Sequence, residues 1–331
     1  MVVYLSILIV MPEVHYLYQG FMSAIQSKIP QRAVLANTIT DLLAIDKDAV
    51  YRRLRGDVNF TFIEMATIAK ELGISLDSIA EIESLQIRPA QILLTKHVKP
   101  AELDYHMCRD HVNIFKFIKD EPNTKIIESG NQIPYYLFYD YDFISRFFMF
   151  YWDQASSAGN DLPFHEIIIP EQFRTLQKEC SLYARHIKST IYVLDSLLFQ
   201  YLVDNIRFFA RAGLIKEIDI SLIKYDLMEF LDAFEKLTVR GKHEDTGNSV
   251  SIYISNIRIE TNYSCIESKN LNMSQFKSFL LNTNTALDKQ VYTEVTSWIQ
   301  YLKSMSTLIS VSGEKSRTAF FNTQRKIINT L

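Results

Sequence analysis

The chain has 331 residues, of which 48% are hydrophobic and 22% are charged, and its formal net charge at pH 7 is −3. This length accommodates two domains with folded cores, while the scarcity of glycine (9) and proline (8) argues against a disordered or turn-rich all-β chain. The negative net charge excludes a uniformly basic nucleic-acid binder, so any DNA-binding surface has to be a local patch.

An N-terminal extension over residues 1–20 is the first expected element, and a short buried segment is the alternative for its apolar run. Residues 2–11 are apolar apart from Ser6, but this run is too short to span a bilayer. No lysine or arginine precedes Lys28 and no small-residue cleavage site is present, so the run makes a poor signal peptide. We find no transmembrane segment elsewhere and expect no association with a membrane.

The cysteine pattern favours a cytoplasmic protein. Cys108, Cys180 and Cys265 are far apart in sequence and form no Cys-x-x-Cys pair. A disulfide framework and a zinc ribbon are therefore not expected, and a reducing cytoplasm is the simplest explanation. We also expect no cofactor.

Residues 21–85 are predicted to form a small all-α domain that begins with two short helices and a tight turn. Leu35, Ile39 and Leu42 recur at helical spacing and form one apolar stripe. Ala44, which follows them, is small, as a tight turn between two crossing helices requires.

A second helix is predicted over residues 47–55. Asp46 suits its N-cap, because a carboxylate accepts hydrogen bonds from the free backbone N–H groups of a first turn. Val50 and Leu54 form an inward-facing pair four residues apart, and Gly56 can end the helix in a left-handed conformation.

The segment that follows, residues 60–82, continues the helical pattern. Thr61 and Glu64 match a capping box, in which the N-cap side chain and the third helical residue satisfy each other's backbone N–H groups. Phe60 and Met65 are placed to form the hydrophobic staple that accompanies such a box.

In this order the features resemble the Cro/C1-repressor type of helix-turn-helix, also called the xenobiotic-response-element family. The resemblance covers residues 31–82 and rests on Leu35-Ala36, the turn, Gly56, Ile68-Ala69, Leu72 and Ile74. The chain departs from the family at Ala44, where many relatives have glycine, and at Arg53, where relatives often have an apolar residue. The resemblance implies a sequence-specific transcription regulator whose second helix enters the major groove.

The resemblance also implies which side chains meet double-stranded DNA. The base-reading positions are occupied here by Lys47, Asp48, Tyr51 and Arg52. The phosphate-contacting positions are occupied by Arg55, with Arg53, and by Gln31 and Arg32 at the end of the preceding helix. Residues 21–56 contain six basic and three acidic residues, a local net charge of +3, although the whole chain is acidic.

A connector over residues 86–100 and a larger domain over residues 101–331 complete the expected organisation. Helices are predicted at 101–119 and 219–238, with one or two long helices over 171–213, and strands are predicted at 124–128, 250–255 and 257–266, the last two as a pair. The expected fold class is therefore mainly α: a small all-α helix-turn-helix domain followed by a larger helix-rich α+β domain. We expect this second domain to form a homodimer and to respond to a small-molecule or protein effector.

Two clusters in the larger domain have more than one explanation. Eleven aromatic residues lie within residues 135–152, and a buried core explains them more simply than an effector pocket or a subunit interface. His106, Cys108, Asp110 and His111 are residue types that bind metals, but helical spacing divides them between two faces, so we expect no metal site.

Three hypotheses of function follow. The first is a DNA-binding transcription regulator, and the second is a protein-interaction module that retains the helix-turn-helix as a docking surface. The third is an enzyme or effector with a fused DNA-targeting domain. No phosphate-binding loop, nucleophile elbow or metalloprotease motif is present, so we expect no catalytic residues.

Overall fold

A computed structural model describes the chain in five segments, residues 14–79, 92–94, 100–156, 162–277 and 283–331. It divides into two compact units, Met1–Gln91 and Ile92–Leu331. The expected connector at residues 86–100 falls outside the described residues, apart from 92–94 and the helix start at Pro100.

The described part of the first unit consists of helices. Helix α1 begins ahead of Phe21, at which we expected the domain to start. The helices are α1 (Val14–Lys28), α2 (Arg32–Leu43), α3 (Lys47–Arg55), α4 (Phe62–Leu72) and α5 (Leu76–Ile79).

The core of this unit is formed by one apolar face of each long helix. Phe21 and Ile25 of α1 are fully buried, as is Ile39 of α2. The ring of Phe21 meets the ring of Phe60 edge to face, with centroids 6.2 Å apart. The hydroxyl of Tyr18 accepts a hydrogen bond from the backbone N–H of Phe60 at 3.1 Å, so α1 holds the segment that joins α3 to α4.

The second unit contains further helices and one mixed sheet. The helices are α6 (Pro100–Ile118), α7 (Tyr135–Phe138), α8 (Asp142–Ser156), α9 (Glu171–Ala184), α10 (Leu198–Arg211), α11 (Glu217–Arg240), α12 (Lys289–Ser304) and α13 (Glu314–Ile328). The strands are β1 (Leu93–Leu94), β2 (Lys125–Gly130), β3 (Ser189–Asp195), β4 (Ser249–Ser255), β5 (Tyr263–Glu267), β6 (Asn272–Lys277), β7 (Thr283–Ala286) and β8 (Ser306–Leu308).

Among the described residues the sheet has eight strands in the order β1-β7-β6-β5-β2-β3-β4-β8. Strands β2, β3 and β4 are parallel neighbours, and the chain passes between them through helices. The remaining pairings are antiparallel. Alternate residues face opposite sides, so Ile126 and Tyr192 join the large helical core while Ile127 and Val193 join a smaller cluster with Ile299 of α12.

The expected fold class is wrong, because the second unit is an α/β arrangement built on parallel strands. The error lies at β3, which is inside the 171–213 segment predicted to be helical. Residues 190–195 of this strand are all buried, and a strand buried on both faces has a continuous apolar sequence without the alternation that marks a half-exposed strand. Such a run is readily mistaken for part of a long helix.

The expected pairing of residues 250–255 with 257–266 is also wrong. Both segments contain strands, β4 and β5, but β4 pairs with β3 and β8, whereas β5 pairs with β2 and β6. The segment between them crosses to the other side of β2 and β3. It is fixed by Asp195, whose buried carboxylate accepts a hydrogen bond from the N–H of Ile259 at 2.8 Å.

None of the helices in the described part of the chain combines the length and apolar composition that a membrane-spanning helix requires.

Candidate nucleic-acid interface

Helices α2 and α3 are joined by a tight turn whose backbone is fixed at both ends. Ala44 takes up a left-handed conformation (φ 51°, ψ 39°) at the end of α2. The carboxylate of Asp46 then caps α3 by accepting a hydrogen bond from the N–H of Ala49 at 2.7 Å. At the other end Gly56 (φ 84°) is also left-handed, and its N–H donates to the carbonyls of the last turn. Helix α3 is therefore a short, well-terminated helix.

Helix α3 has one buried face and one exposed face. Ala49, Val50 and Leu54 are buried against the core. Because successive helical residues are rotated by about 100°, five others fall in one arc of roughly 140° on the opposite side. These residues are Lys47, Asp48, Tyr51, Arg52 and Arg55, and we call them the α3 face; Tyr51 is half-buried and the other four are exposed.

The cations of the α3 face differ in their partners. Within the described residues, Lys47 and Arg52 form no ion pair. Arg55 pairs with Asp57 at 2.9 Å, and both side chains are about half exposed (53% and 52%). An exposed pair of this kind contributes only about 0–1 kcal/mol, so Arg55 can exchange Asp57 for another anion at small cost.

Arg53 does not lie on the α3 face. Its guanidinium donates to the Glu64 carboxylate from Nε at 3.2 Å and from Nη2 at 2.9 Å, and to the Ala49 carbonyl from Nη1 at 3.3 Å. Only 17% of either charged side chain is exposed. The guanidinium also lies 6.0 Å from the centre of the Phe60 ring. Arg53 is thus occupied inside the unit, which is at odds with the phosphate contact that we expected, and we do not assign it to the interface.

Glu64 links this ion pair to the start of α4. Its carboxylate accepts a hydrogen bond from the Thr61 N–H at 2.8 Å, while the Thr61 hydroxyl accepts one from the Glu64 N–H, so the predicted capping box is confirmed. Burial by itself would raise the pKa of Glu64, but the hydrogen bonds from Arg53 and Thr61 outweigh burial and hold this pKa below its ordinary value. The carboxylate therefore stays ionised and paired.

Gln31 and Arg32 lie at the start of α2, and both are exposed. Gln31 occupies the N-cap position, and its side chain forms no capping hydrogen bond. The N-terminal end of a helix carries a partial positive charge and free N–H groups, which favour a phosphate. This end of α2 is suited to a contact with the DNA backbone.

The sequence analysis did not identify two ion-pair partners that matter for this surface: Asp57, which pairs with Arg55, and Glu64, which pairs with Arg53. A helical projection of α3 would have found the second, since it places Arg53 between the buried residues Ala49 and Val50. The family usually has an apolar residue at the position of Arg53, which also indicates that this position lies on the buried side of α3.

The four residues of α6 whose types can bind metals do not share one face of the helix. Cys108 and His111 are buried, whereas His106 and Asp110 are exposed. Within the described ranges no group of three or more histidine, cysteine, aspartate or glutamate side chains could hold a metal ion. The three cysteines are free and buried.

The aromatic residues predicted between 135 and 152 belong to the main core of the second unit. All eleven either are buried there or pack against it: Tyr135, Tyr136, Phe138, Tyr139, Tyr141, Phe143, Phe147, Phe148, Phe150, Tyr151 and Trp152. This supports the explanation of the cluster as a buried core.

Comparisons with protein-family models, with curated proteins and with solved structures found no match for this chain. The interface is therefore described from its residues and their geometry.

Proposed function

We propose that this chain is a sequence-specific transcription regulator that binds double-stranded DNA with α3 in the major groove. The observation that carries the proposal is the α3 face itself: exposed charged side chains on one side of a capped helix that is buried on the other. A helix with its side chains is about 10–12 Å across, close to the 12 Å width of the major groove.

The chemistry of the α3 face matches the edges of base pairs. An arginine such as Arg52 can donate two hydrogen bonds to O6 and N7 of guanine, and Asp48 can accept one from N4 of cytosine. Lys47 and Tyr51 add further donors on the same arc. Discrimination by a good two-bond contact is worth about 1–3 kcal/mol per base.

Phosphate contacts are assigned to the edges of this surface. Arg55 lies at the end of α3, and Gln31 and Arg32 lie at the start of α2. Such contacts fix the position of a protein on DNA and carry no sequence information. The two cationic contacts, Arg55 and Arg32, should each contribute about one unit to the slope of log affinity against log salt concentration, so Arg55→Ala should lower that slope by about one.

We further propose that the protein acts as a homodimer. Two copies would place two recognition helices about 34 Å apart, one turn of B-DNA, and would favour a near-palindromic operator. The second unit would supply the dimer contact and a binding site for an effector, and this assignment rests on its size and folded core.

One observation favours a second candidate function, a protein-docking module. Phe62 and Ile63, in the first turn of α4, are each 76% exposed. Adjacent exposed apolar residues of this size are typical of contact surfaces. If docking is the function, serine at both positions should abolish activity, and neutralising Arg52 and Arg55 should leave it intact.

The test is a selection of ligands for the purified protein from random duplex DNA at two salt concentrations. The regulator proposal expects an enriched, near-palindromic motif at both concentrations, with weaker binding at the higher one. Recovery of unenriched sequences at both concentrations would reject sequence-specific recognition and favour the docking module.

A further inference from the structure

A cavity of about 80 Å³ lies at the carboxyl ends of β2 and β3 in the second unit. In open α/β sheets, ligands bind in the crevice outside the carboxyl ends of the strands. Strand β2 has a parallel neighbour on one side and an antiparallel neighbour on the other, and the loop that follows it forms one wall of the cavity. The ends of β5 and β6 complete the site.

A carboxyl group lies on one side of this cavity. Glu128 of β2 has its Oε1 atom 2.9 Å from the Ser264 hydroxyl, which donates to it. The side chain keeps part of its surface open because it lines the cavity. Burial raises the pKa of Glu128 to about 7, although hydrogen bonds from Ser264 and Tyr136 and the charge of Lys277 act against burial. Burial therefore disfavours the ionised form of Glu128, and a cationic group of a ligand beside it would favour that form.

A cation lines the same cavity. Glu128 is opposite Ser264 and Ser264 is opposite Gln275 in the sheet, so the three side chains lie in one row on one face. Lys277 is two residues further along β6, and alternate residues share a face, so it lies beside this row. Its ammonium group donates to the Gln132 side-chain oxygen. The cavity is thus lined by a carboxyl group from β2 and by an ammonium group from β6.

His111 of α6 forms part of the wall without adding a charge. Its Nδ1 is 2.8 Å from the Met107 carbonyl oxygen, and its Nε2 is 3.1 Å from the side-chain oxygen Oε1 of Gln275. Burial lowers the pKa of His111 despite these hydrogen bonds, so the ring is neutral near pH 7. It can donate from Nδ1 to Met107 and accept at Nε2 when the Gln275 amide is turned to donate.

The loop that forms one wall of the cavity is held by hydrogen bonds within the chain. The side-chain oxygen of Asn262 accepts hydrogen bonds from the N–H groups of Asn131 at 3.0 Å and Gln132 at 3.3 Å. Gly130 leaves room for this arrangement, because a Cβ atom at that position would collide with the Asn262 side chain. A wall that is already ordered lowers the entropic cost of binding.

We propose that this cavity binds a small free amino acid, with its ammonium group against Glu128 and its carboxylate against Lys277. The two opposite charges complement a zwitterion. On the same volume scale a single buried water molecule occupies about 10–15 Å³. If each non-hydrogen atom of a ligand takes about the space of one water, a cavity of about 80 Å³ holds roughly five to eight such atoms, the size of glycine, alanine or serine. The site is independent of the DNA-binding proposal, since it is built from second-unit residues alone.

The experiment is isothermal titration of the full-length protein with glycine, alanine and serine, beside propionate and ethylamine, which each lack one of the two charges. We expect at least one amino acid to bind at least tenfold more tightly than both analogues. Equal binding of propionate or of ethylamine would overturn the zwitterion assignment. No heat of binding from any of the three amino acids at millimolar concentration would overturn the site.

Matched variants locate the binding. Glu128→Gln and, separately, Lys277→Gln should each weaken the amino acid at least tenfold, whereas Glu260→Gln should not, although it removes an equal charge from an exposed position between β4 and β5. Unchanged affinity in both cavity variants would overturn the assignment. If Glu128→Gln fails to fold, Lys277→Gln and the comparison of ligands on the unaltered protein still decide the question.

Discussion

The guanidinium of Arg53 and the carboxylate of Glu64 form a two-bond ion pair, 2.9 Å at its shortest, that joins α3 to α4. The partners are eleven positions apart in sequence, and the same carboxylate completes the capping box of α4. The pair therefore fixes the helix whose opposite side we propose to meet DNA. Neighbouring arginines at positions 52 and 53 consequently have separate roles.

The two arginines should respond differently to alanine. Arg53→Ala leaves Glu64 partly buried without its cation, and we expect it to lower the free energy of unfolding of the first unit by about 1–3 kcal/mol. Arg52→Ala should change stability by less than about 0.5 kcal/mol, because Arg52 is exposed and forms no ion pair within the described residues. Hydrogen exchange of amides in α3 and α4 measures the difference. Equal protection in the two variants would contradict the division of roles.

Removing the acid beside Arg55 should strengthen DNA binding. Asp57→Asn frees the Arg55 guanidinium and removes a negative charge from the edge of the proposed interface. At low salt we expect affinity to rise severalfold, and the gain should shrink as salt screens the charges. Fluorescence anisotropy with one duplex at several salt concentrations measures this. A loss of affinity in Asp57→Asn would show that the Arg55–Asp57 pair organises the surface.

The turn between α2 and α3 should become more stable with glycine. Ala44 is left-handed, a conformation that costs a residue with a Cβ atom about 1–2 kcal/mol, while glycine loses about 0.5–1 kcal/mol more entropy on folding. Ala44→Gly should therefore raise the free energy of unfolding by roughly 0.5–1 kcal/mol. Slower hydrogen exchange in α2 and α3 is the expected result, and faster exchange there would contradict it.

The stability of the second unit should depend on pH through Glu128. Its pKa rises from 4.5 to about 7 on folding, so its contribution is fully present below pH 4.5 and is lost as pH rises through about 7. The neighbouring Tyr136 and Tyr192 stay protonated in this range because burial raises their pKa values. From pH 5 to pH 8 we expect Glu128 to contribute a loss on the order of 2–3 kcal/mol. His243, whose pKa burial lowers to about 4, acts in the opposite direction, so the Glu128 contribution is measured as a difference from a variant that lacks the carboxyl group.

Glu128→Gln provides the control for this pH dependence. The variant lacks the titrating group, so its stability relative to the unaltered protein should improve from pH 5 to pH 8. Both tryptophans, Trp152 and Trp298, belong to the second unit, so denaturant titration followed by tryptophan fluorescence reports on that unit alone. If the difference in free energy of unfolding between the two proteins did not change with pH, the assignment of the pH dependence to Glu128 would be contradicted.

Local features of the first unit could be predicted from the sequence because their causes lie within a few residues. The Asp46 cap and the Thr61–Glu64 capping box each join groups three residues apart. The partner of Arg53 could not be read in this way, since Glu64 becomes its neighbour only after α3 and α4 pack. The same limit applies to the cavity, in which Glu128 and Lys277 are brought together by three adjacent strands.

The sheet was the least predictable part of the fold. Strand β3 is buried on both faces and lacks the alternation that identifies half-exposed strands. Without it, the parallel core of β2, β3 and β4 cannot be inferred, and β4 and β5 look like a hairpin. Pairing in a sheet depends on contacts between distant segments, which sequence periodicity does not report.

The central claim, that the α3 face binds DNA, is tested most directly by a charge-matched comparison. Lys47→Ala with Arg52→Ala removes two cations from this face, and Lys178→Ala with Lys236→Ala removes two exposed cations from α9 and α11. We predict that the first pair loses sequence-specific binding and keeps only the weaker, salt-dependent binding that the phosphate contacts supply, while the second pair binds like the unaltered protein. Equal losses in both double variants, or none in the first, would contradict the claim.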